Sequence, residues 1–364
     1  MKKIYTTILL LLILSGFSQP PAGYYATATG TGYALKTQLY NIIKGHTVQS
    51  YAGLYTTYLT SDVDNFYEND GTILDMYSEN PNGADPYNYT TGPGQRCGNY
   101  NLEGDCYNRE HIIPQSTFNS ASPMVSDAHF ITPTDGKVNG IRSNFPHGMV
   151  GTATTTTLNG GKLGSASNSG FAAGYSGTVF EPIDAFKGDI ARMYFYFATR
   201  YETTVSGYTF DMFNGTANQV FTTAFKNILL QWNLNDPVSN REIARNNAIG
   251  VAARQGNRNP YIDNNSYVTV IWGLAPSQLA LSAFELNANI NIFPNPTNGN
   301  KVTIQSDINL DIIELINING QVIERIEKPV FENNSFGLNN LQTGFYFVKL
   351  SANNQSTTKK LIVN

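Results

Sequence analysis

Glu110 and His111 are adjacent, and Pro114 closes the short run that carries them. Taken alone, a Glu-His pair is a surface pair without a role. Its surroundings change that reading, because DAHFITPTDGKVNGIRSN (127–144) follows with Asn139 and Arg142. Hydrolysis of a phosphodiester needs a base for water, a cation against the developing charge, and donors for the phosphate oxygens. An imidazole with a reference pKa of about 6.5 is largely neutral just above neutral pH, so His111 can be the base. Glu110 and Asn139 offer oxygen ligands suited to a hard cation such as Mg²⁺, which keeps several of its waters. The Arg142 guanidinium can fork onto phosphate oxygens.

These groups need elements to hold them. Adjacent strand residues point to opposite faces, but at a strand end or kink both can line one cleft. HFIT (129–132) has strand character, Pro133 suits a helix start, and Thr134 or Asp135 can cap a short helix holding Asn139 and Arg142. The result is a ββα unit. Around it, residues 33–60 predict one or two helices and TILDMYS (72–78) a buried strand. The stretch 80–96 is a turn-rich loop, and 151–177 reads as long surface loops or a hairpin. Apolar stripes predict helices over 186–202 and 218–233, and Ser239-Asn240-Arg241-Glu242 is a capping box opening a third that runs to about Arg254. From Ile290 onward, short alternating runs with Asn-Gly and Thr-Gly turns predict a small all-β sandwich. It holds no histidine or cysteine, so no catalysis is expected there.

The 364 residues carry a net charge of -4, and within 20–273 the acidic side chains outnumber the basic ones. A polyanion would therefore have to meet a local basic face or bound cations rather than global attraction. Met1-Lys2-Lys3, an apolar run from Ile8 to Leu14 and Gly16-Phe17-Ser18 are the parts of a secretory signal peptide over 1–18, with a membrane anchor as the weaker alternative. The two cysteines, Cys97 and Cys106, read as one disulfide in an exported protein. Zinc would need two further ligands nearby, and the chain has four histidines in all.

Several separate segments, in order, resemble the bacterial endonuclease I family of ββα-metal nucleases. They are EGDCYNREHIIPQSTF (103–118), DAHFITPTDGKVNGIRSN (127–144), KGDIARMYFYFATRY (187–201), QWN (231–233), REIARNNAIGVAARQGNRNPYID (241–263) and IWG (271–273). The resemblance implies that His111 activates water while Glu110 and Asn139 hold a single metal, Mg²⁺ with Mn²⁺ or Ca²⁺ as alternatives. It implies cleavage to 5′-phosphate ends with little sequence preference, on DNA and often on RNA. Arg142 and Asn144 follow the metal asparagine in the pattern. Asp127 and His129 match it too and are expected to support the site. Gln255, Asn257, Arg258 and Asn259 either contact phosphate or serve hydrogen bonding at a helix end. His46 and His147 are expected to be bystanders. Relatives with several disulfides depart from this chain's single cysteine pair, so its loops are expected to be looser.

Residues 287–364 resemble the type A sorting domain of the type IX secretion system, on IFPNPTNG (292–299), INGQVI (318–323), LQTGFYFVKL (341–350) and KKLIVN (359–364). This implies passage through the outer membrane by that machinery, then release or surface attachment. By composition alone the segment could instead be an adhesive or carbohydrate-binding sandwich. The expected architecture is α+β: a signal peptide (1–18), a mostly helical nuclease domain (19–275), a linker (276–286) and the sandwich (287–364). A monomer without stable membrane insertion is expected. The competing classes are a catalytically silent surface protein, disfavoured because Glu110, His111 and Asn139 are all present, and a phosphodiesterase for small molecules.

Overall fold

The structure, a computed structural model, describes residues 20–278, 286, 289–352 and 355–364. The expected signal peptide and part of the expected linker lie outside the described residues. Two compact units divide between Ala275 and Pro276.

The first unit opens with helices α1 (Gly32–Ile43) and α2 (Leu54–Ser61). The segment expected as a strand over 72–78 is a turn instead. Ile73 bridges Val63 and Tyr89, and Asp75 then takes over the backbone. Its side chain accepts from Tyr77 N at 2.8 Å and its carbonyl accepts from Ser78 and Glu79. A short polar side chain that bonds its own neighbours competes with a ladder, and here it wins.

Strands β1 (Tyr107–His111) and β2 (Ile131–Asp135) pair antiparallel, with Glu110 opposite Thr132 and His111 opposite Ile131. Helix α3 (Gly136–Arg142) follows at once, so the expected ββα unit is present. Its cap is Asp135, whose carboxylate accepts from Val138 N at 2.7 Å. Pro133 does not open the helix. It sits inside β2 opposite Arg109, where a two-stranded sheet tolerates a residue without an N–H. The stretch expected as loops or a hairpin forms strands β3 (Val150–Thr156) and β4 (Lys162–Ala166), which join β5 (Thr178–Glu181) in one sheet.

Helix α4 (Lys187–Arg200) is buried along its whole length, packed against α1 and against α5 (Thr223–Asn235). Three of its charges survive burial by pairing, Lys187 with Glu181 at 2.6 Å, Arg192 with Glu242 at 2.5 Å and Asp189 with Arg241 at 2.5 Å, while Arg200 donates to His46. Helix α5 begins five residues later than its apolar stripe suggests. Val220 adopts φ 63° in a turn closed by the bridge between Phe213 and Phe221. Helix α6 (Asn240–Gly250) has the expected capping box on Ser239 and Glu242. Helices α7 (Pro260–Asp263) and α8 (Ser266–Trp272) complete the unit. The architecture is α+β, but not mostly helical, with 30% helix and 23% strand among the described residues. The Asn-, Gly- and Thr-rich stretches between helices go to turns and to the β3–β5 sheet.

The second unit is β-rich throughout its described strands: β6 (Ile290–Phe293), β7 (Val302–Ser306), β8 (Ile312–Asn317), β9 (Val322–Glu327), β10 (Ser335–Leu338), β11 (Gly344–Ala352) and β12 (Gln355–Val363). They form sheets ordered β10-β7-β6 and β12-β11-β8-β9. Val302, Ile304, Ile313, Val348, Leu350 and Leu361 supply alternate positions to one apolar core.

Candidate active site

The end of β1, the start of the following loop and the exposed side of α3 enclose a cleft of ≈ 300 Å³. Asn108, Arg109, Glu110 and His111 border it from the strand, Gln115 and Ser116 from the loop, and Asn139, Ser143 and Asn144 from the helix side. Two residues apart on β1, Asn108 and Glu110 share a face of the strand. Asn108 Oδ1 accepts from Asn139 Nδ2 at 2.7 Å, which fixes the Asn139 amide and leaves its oxygen as the remaining donor atom. Sequence reasoning missed Asn108, although period-two spacing from Glu110 could have found it.

Glu110 is almost fully buried. Its Oε1 accepts from the Tyr77 hydroxyl at 2.9 Å and from Arg142 Nη1 at 3.0 Å, so Oε2 is the oxygen with capacity left. Burial pushes the Glu110 carboxyl up, and the Arg142 charge, followed by the Tyr77 hydrogen bond, opposes it.

Arg142 does not stand as a phosphate fork. Nε donates to the Phe145 carbonyl at 3.0 Å, Nη1 also donates to the His111 carbonyl at 2.7 Å, and Nη2 donates to the Ile112 carbonyl at 2.5 Å. With its guanidinium spent on this chain and only 1% exposed, Arg142 clamps the Glu110–Ile112 backbone. His147 is no bystander either. Its Nε2 meets the Tyr77 hydroxyl at 3.0 Å and its Nδ1 meets the Tyr194 hydroxyl at 2.9 Å, so it braces the tyrosine that holds Glu110. Nothing in the sequence pattern announced Tyr77, His147 and Tyr194 as a group, because they come from three distant segments.

The His111 ring is buried with Nε2 3.2 Å from the Val125 carbonyl. A carbonyl only accepts, so the proton sits on Nε2 and the lone pair on Nδ1. Burial pulls the imidazole down to about 4, aided by the charges of Arg109 and Arg142 and opposed by the carbonyls of Val125 and Arg109. It is therefore neutral at physiological pH, the state a general base requires. Arg109 is the cation on the cleft wall that the sequence reading passed over. It lies over the Tyr51 ring at 3.5 Å and donates to the Tyr51 carbonyl at 3.0 Å.

The remaining expected residues lie apart from the cleft lining. Asp127 accepts from Gln255 Nε2 at 2.9 Å, Tyr196 at 2.9 Å and Tyr201 at 2.8 Å. His129 Nε2 meets the Asn257 carbonyl at 3.0 Å, and Asn257 Nδ2 donates to Tyr196 at 2.8 Å. Arg258 pairs with Asp263 at 2.6 Å, and Asn259 caps α7. All are buried, and their side chains are spent on hydrogen bonds within the chain, Arg258 and Asn259 at α7 and Gln255 and Asn257 in the network around Asp127 and His129. Asp127 is the C-cap of the short turn Met124–Ser126, which carries the Val125 carbonyl that meets His111. His46 accepts from Arg200 at 3.1 Å, away from the cleft lining. Cys97 and Cys106 form the expected disulfide, with a Cα–Cα distance of 5.3 Å.

A ββα unit presenting a neutral buried histidine beside a carboxylate and an oriented amide oxygen defines the class: a hydrolytic nuclease site on an α+β scaffold. The chain belongs to the Endonuclease I family, whose model matches residues 31–266, and it is a nuclease enzyme. Residues 291–364 match the secretion system C-terminal sorting domain. An "Extracellular ribonuclease" of Bacillus amyloliquefaciens is 33% identical over 253 residues, 68% of this chain and 78% of the relative. One of Bacillus subtilis (strain 168) is 34% identical over 256 residues, with the same shares. The "Endonuclease-1" of Buchnera aphidicola subsp. Baizongia pistaciae is 33% identical over 137 residues, 38% of this chain and 46% of the relative. No helix among the described residues is long and apolar enough to cross a membrane.

Proposed function

We propose that the protein is a secreted, metal-dependent endonuclease of little sequence preference, hydrolysing DNA and RNA to 5′-phosphate ends with His111 as general base. The observation that carries this reading is a buried, neutral His111 on the wall of the cleft, whose Nε2 is paired with the Val125 carbonyl so that Nδ1 is the nitrogen left to accept a proton. Glu110 Oε2 and Asn139 Oδ1 border the same cleft and are hard oxygen donors, so they fit a single Mg²⁺, with Mn²⁺ or Ca²⁺ as alternatives. Such an ion, when bound, would offset charge developing on the phosphate.

This chain's residues do the rest. Nδ1 of His111 takes the water proton as the hydroxyl oxygen bonds phosphorus. The bond from phosphorus to the 3′ oxygen breaks, and that oxygen leaves with a proton from solvent. Arg142 and Tyr77 hold Glu110 in place and favour its charged form against burial, while Arg109 presents a positive charge to the phosphate and Asn144 an amide. RNA joins DNA as a substrate on the strength of the two ribonuclease relatives. Export rests on a signal peptide over 1–18 and on the sorting domain, which we assign to type IX machinery and to removal after passage. We take the working form to be a monomer of residues 19–275 without stable membrane insertion, released or held at the surface.

The test is incubation with plasmid and RNA, with and without EDTA. Cleavage should stop with chelator and return with Mg²⁺ or Mn²⁺, because two protein oxygens hold a labile ion. Undiminished cleavage after exhaustive chelation contradicts a metal-dependent reaction.

A further inference from the structure

Away from the cleft, Asp64, Glu68 and Glu79 each bring a carboxylate oxygen into one cluster, all within 4.8 Å of one another. Asp64 and Glu79 are buried while Glu68 is exposed. The Asp64 carboxylate is preorganised by three backbone amides: Phe66 N and Tyr67 N on Oδ1 at 3.0 Å, and Asn69 N on Oδ2 at 2.9 Å. Glu79 is different. Its Oε1 is buried without a hydrogen-bond partner, on a residue only 1% exposed. An orphaned buried carboxylate oxygen carries a substantial desolvation cost that a native fold normally offsets with a donor, a proton or a cation.

We propose that Asp64, Glu68 and Glu79 form a second divalent-cation site, of Ca²⁺ type, that clamps the 64–72 loop to the 75–79 turn. Oxygens that all lie within 4.8 Å of one another can each reach one Ca²⁺ at about 2.4 Å. Ca²⁺ also tolerates the irregular all-oxygen geometry that a loop and a turn provide, and Mg²⁺ does not. The field of the site is strongly negative. Burial first, then the charges of Asp85, Glu68 and Asp64, push the Glu79 carboxyl up to about 9. The 75–79 turn also carries Tyr77, whose hydroxyl holds Glu110. A cation at Glu79 therefore stiffens a support of the catalytic cleft without touching it. This proposal stands on residues outside the catalytic reading and does not depend on it.

The test uses the full protein with its cleft disabled by Glu110→Gln and Asn139→Ala, so that any remaining Ca²⁺ effect belongs elsewhere. An affinity typical of extracellular modules, on the order of 10⁻⁴–10⁻³ M, should make 10 mM Ca²⁺ raise Tm by roughly 3–10 °C in this background. Adding Glu68→Gln, an exposed change that leaves the core alone, should weaken Ca²⁺ binding by roughly tenfold or more. Adding Glu79→Gln should abolish the shift, and in Ca²⁺-free buffer should leave Tm equal to or above the parent's. An absent shift in the cleft-disabled protein overturns the proposal. So does a shift that both Glu68→Gln and Glu79→Gln leave unchanged. If Glu79→Gln does not fold, the Glu68→Gln titration decides alone.

Discussion

Arg142 shows how far residue type can mislead about residue role. A guanidinium near a metal asparagine suggests a phosphate fork, yet its donors go to Glu110 and to the carbonyls of His111, Ile112 and Phe145. Removing one partner of a buried ion pair leaves the other charge uncompensated, a loss of about 3–5 kcal/mol. Arg142→Ala should therefore lower the urea midpoint by that equivalent as well as the rate. Arg142→Lys should recover part of the stability, since an ammonium can pair with Glu110 but cannot hold three carbonyls at once. A variant of normal stability whose only defect is a weakened KM would restore the phosphate-fork role. That Glu110, His111 and Asn139 border one cleft was legible in the sequence, because their residue types and the ββα spacing point to it. The brace of Tyr77, His147 and Tyr194 was not, because it exists only once distant segments pack together.

At the scale of elements, the ββα unit was legible because β2 runs directly into α3 and Asp135 is a strong cap. The 72–78 turn and the late start of α5 were not. In the first, Asp75 bonding its own neighbours and the bridges from Ile73 to Val63 and Tyr89 overrode the apolar pattern, and in the second the bridge from Phe221 to Phe213 did. The disulfide ties the loop before β1 to Cys106, the residue just ahead of the strand, with Cys97 bordering the cleft. Closing a loop of about ten residues contributes roughly 2.5–3 kcal/mol by chain entropy. Replacing both cysteines with alanine should reduce stability by that amount in denaturant titrations, with the m-value little changed. An unaltered midpoint would mean that the neighbouring hydrogen bonds already hold the loop.

For the whole molecule, acid stability is set by what the core buries. His129 lies within the Asp127 network, and burial pulls its imidazole down to about 4 from an ordinary 6.5. Between those values the unfolded chain binds a proton that the folded chain does not. Its contribution is complete above pH 6.5 and is lost as pH falls toward 4. His129→Gln keeps a donor for the Asn257 carbonyl but removes the titration. Across that window its stability should fall less steeply with acid than wild type's, by about 1.4 kcal/mol per pH unit. Parallel profiles of the two proteins would show that His129 is not the buried neutral group described. Raised carboxyls such as Asp75, pushed up to about 8, act in the opposite sense, so the difference between the two proteins is the informative quantity.

The claim on which the account rests is that His111 is a base and not a ligand. It is tested by measuring plasmid cleavage against Mg²⁺ concentration for His111→Ala, Glu110→Gln and Asn139→Ala, each verified as folded. Loss of a positioned base should cost His111→Ala roughly 10²–10⁴-fold in turnover at every Mg²⁺ concentration. Glu110→Gln and Asn139→Ala should instead need more Mg²⁺ and recover part of their rate as it rises. A His111→Ala protein that cleaves near the wild-type rate, or that excess Mg²⁺ restores, contradicts the assignment.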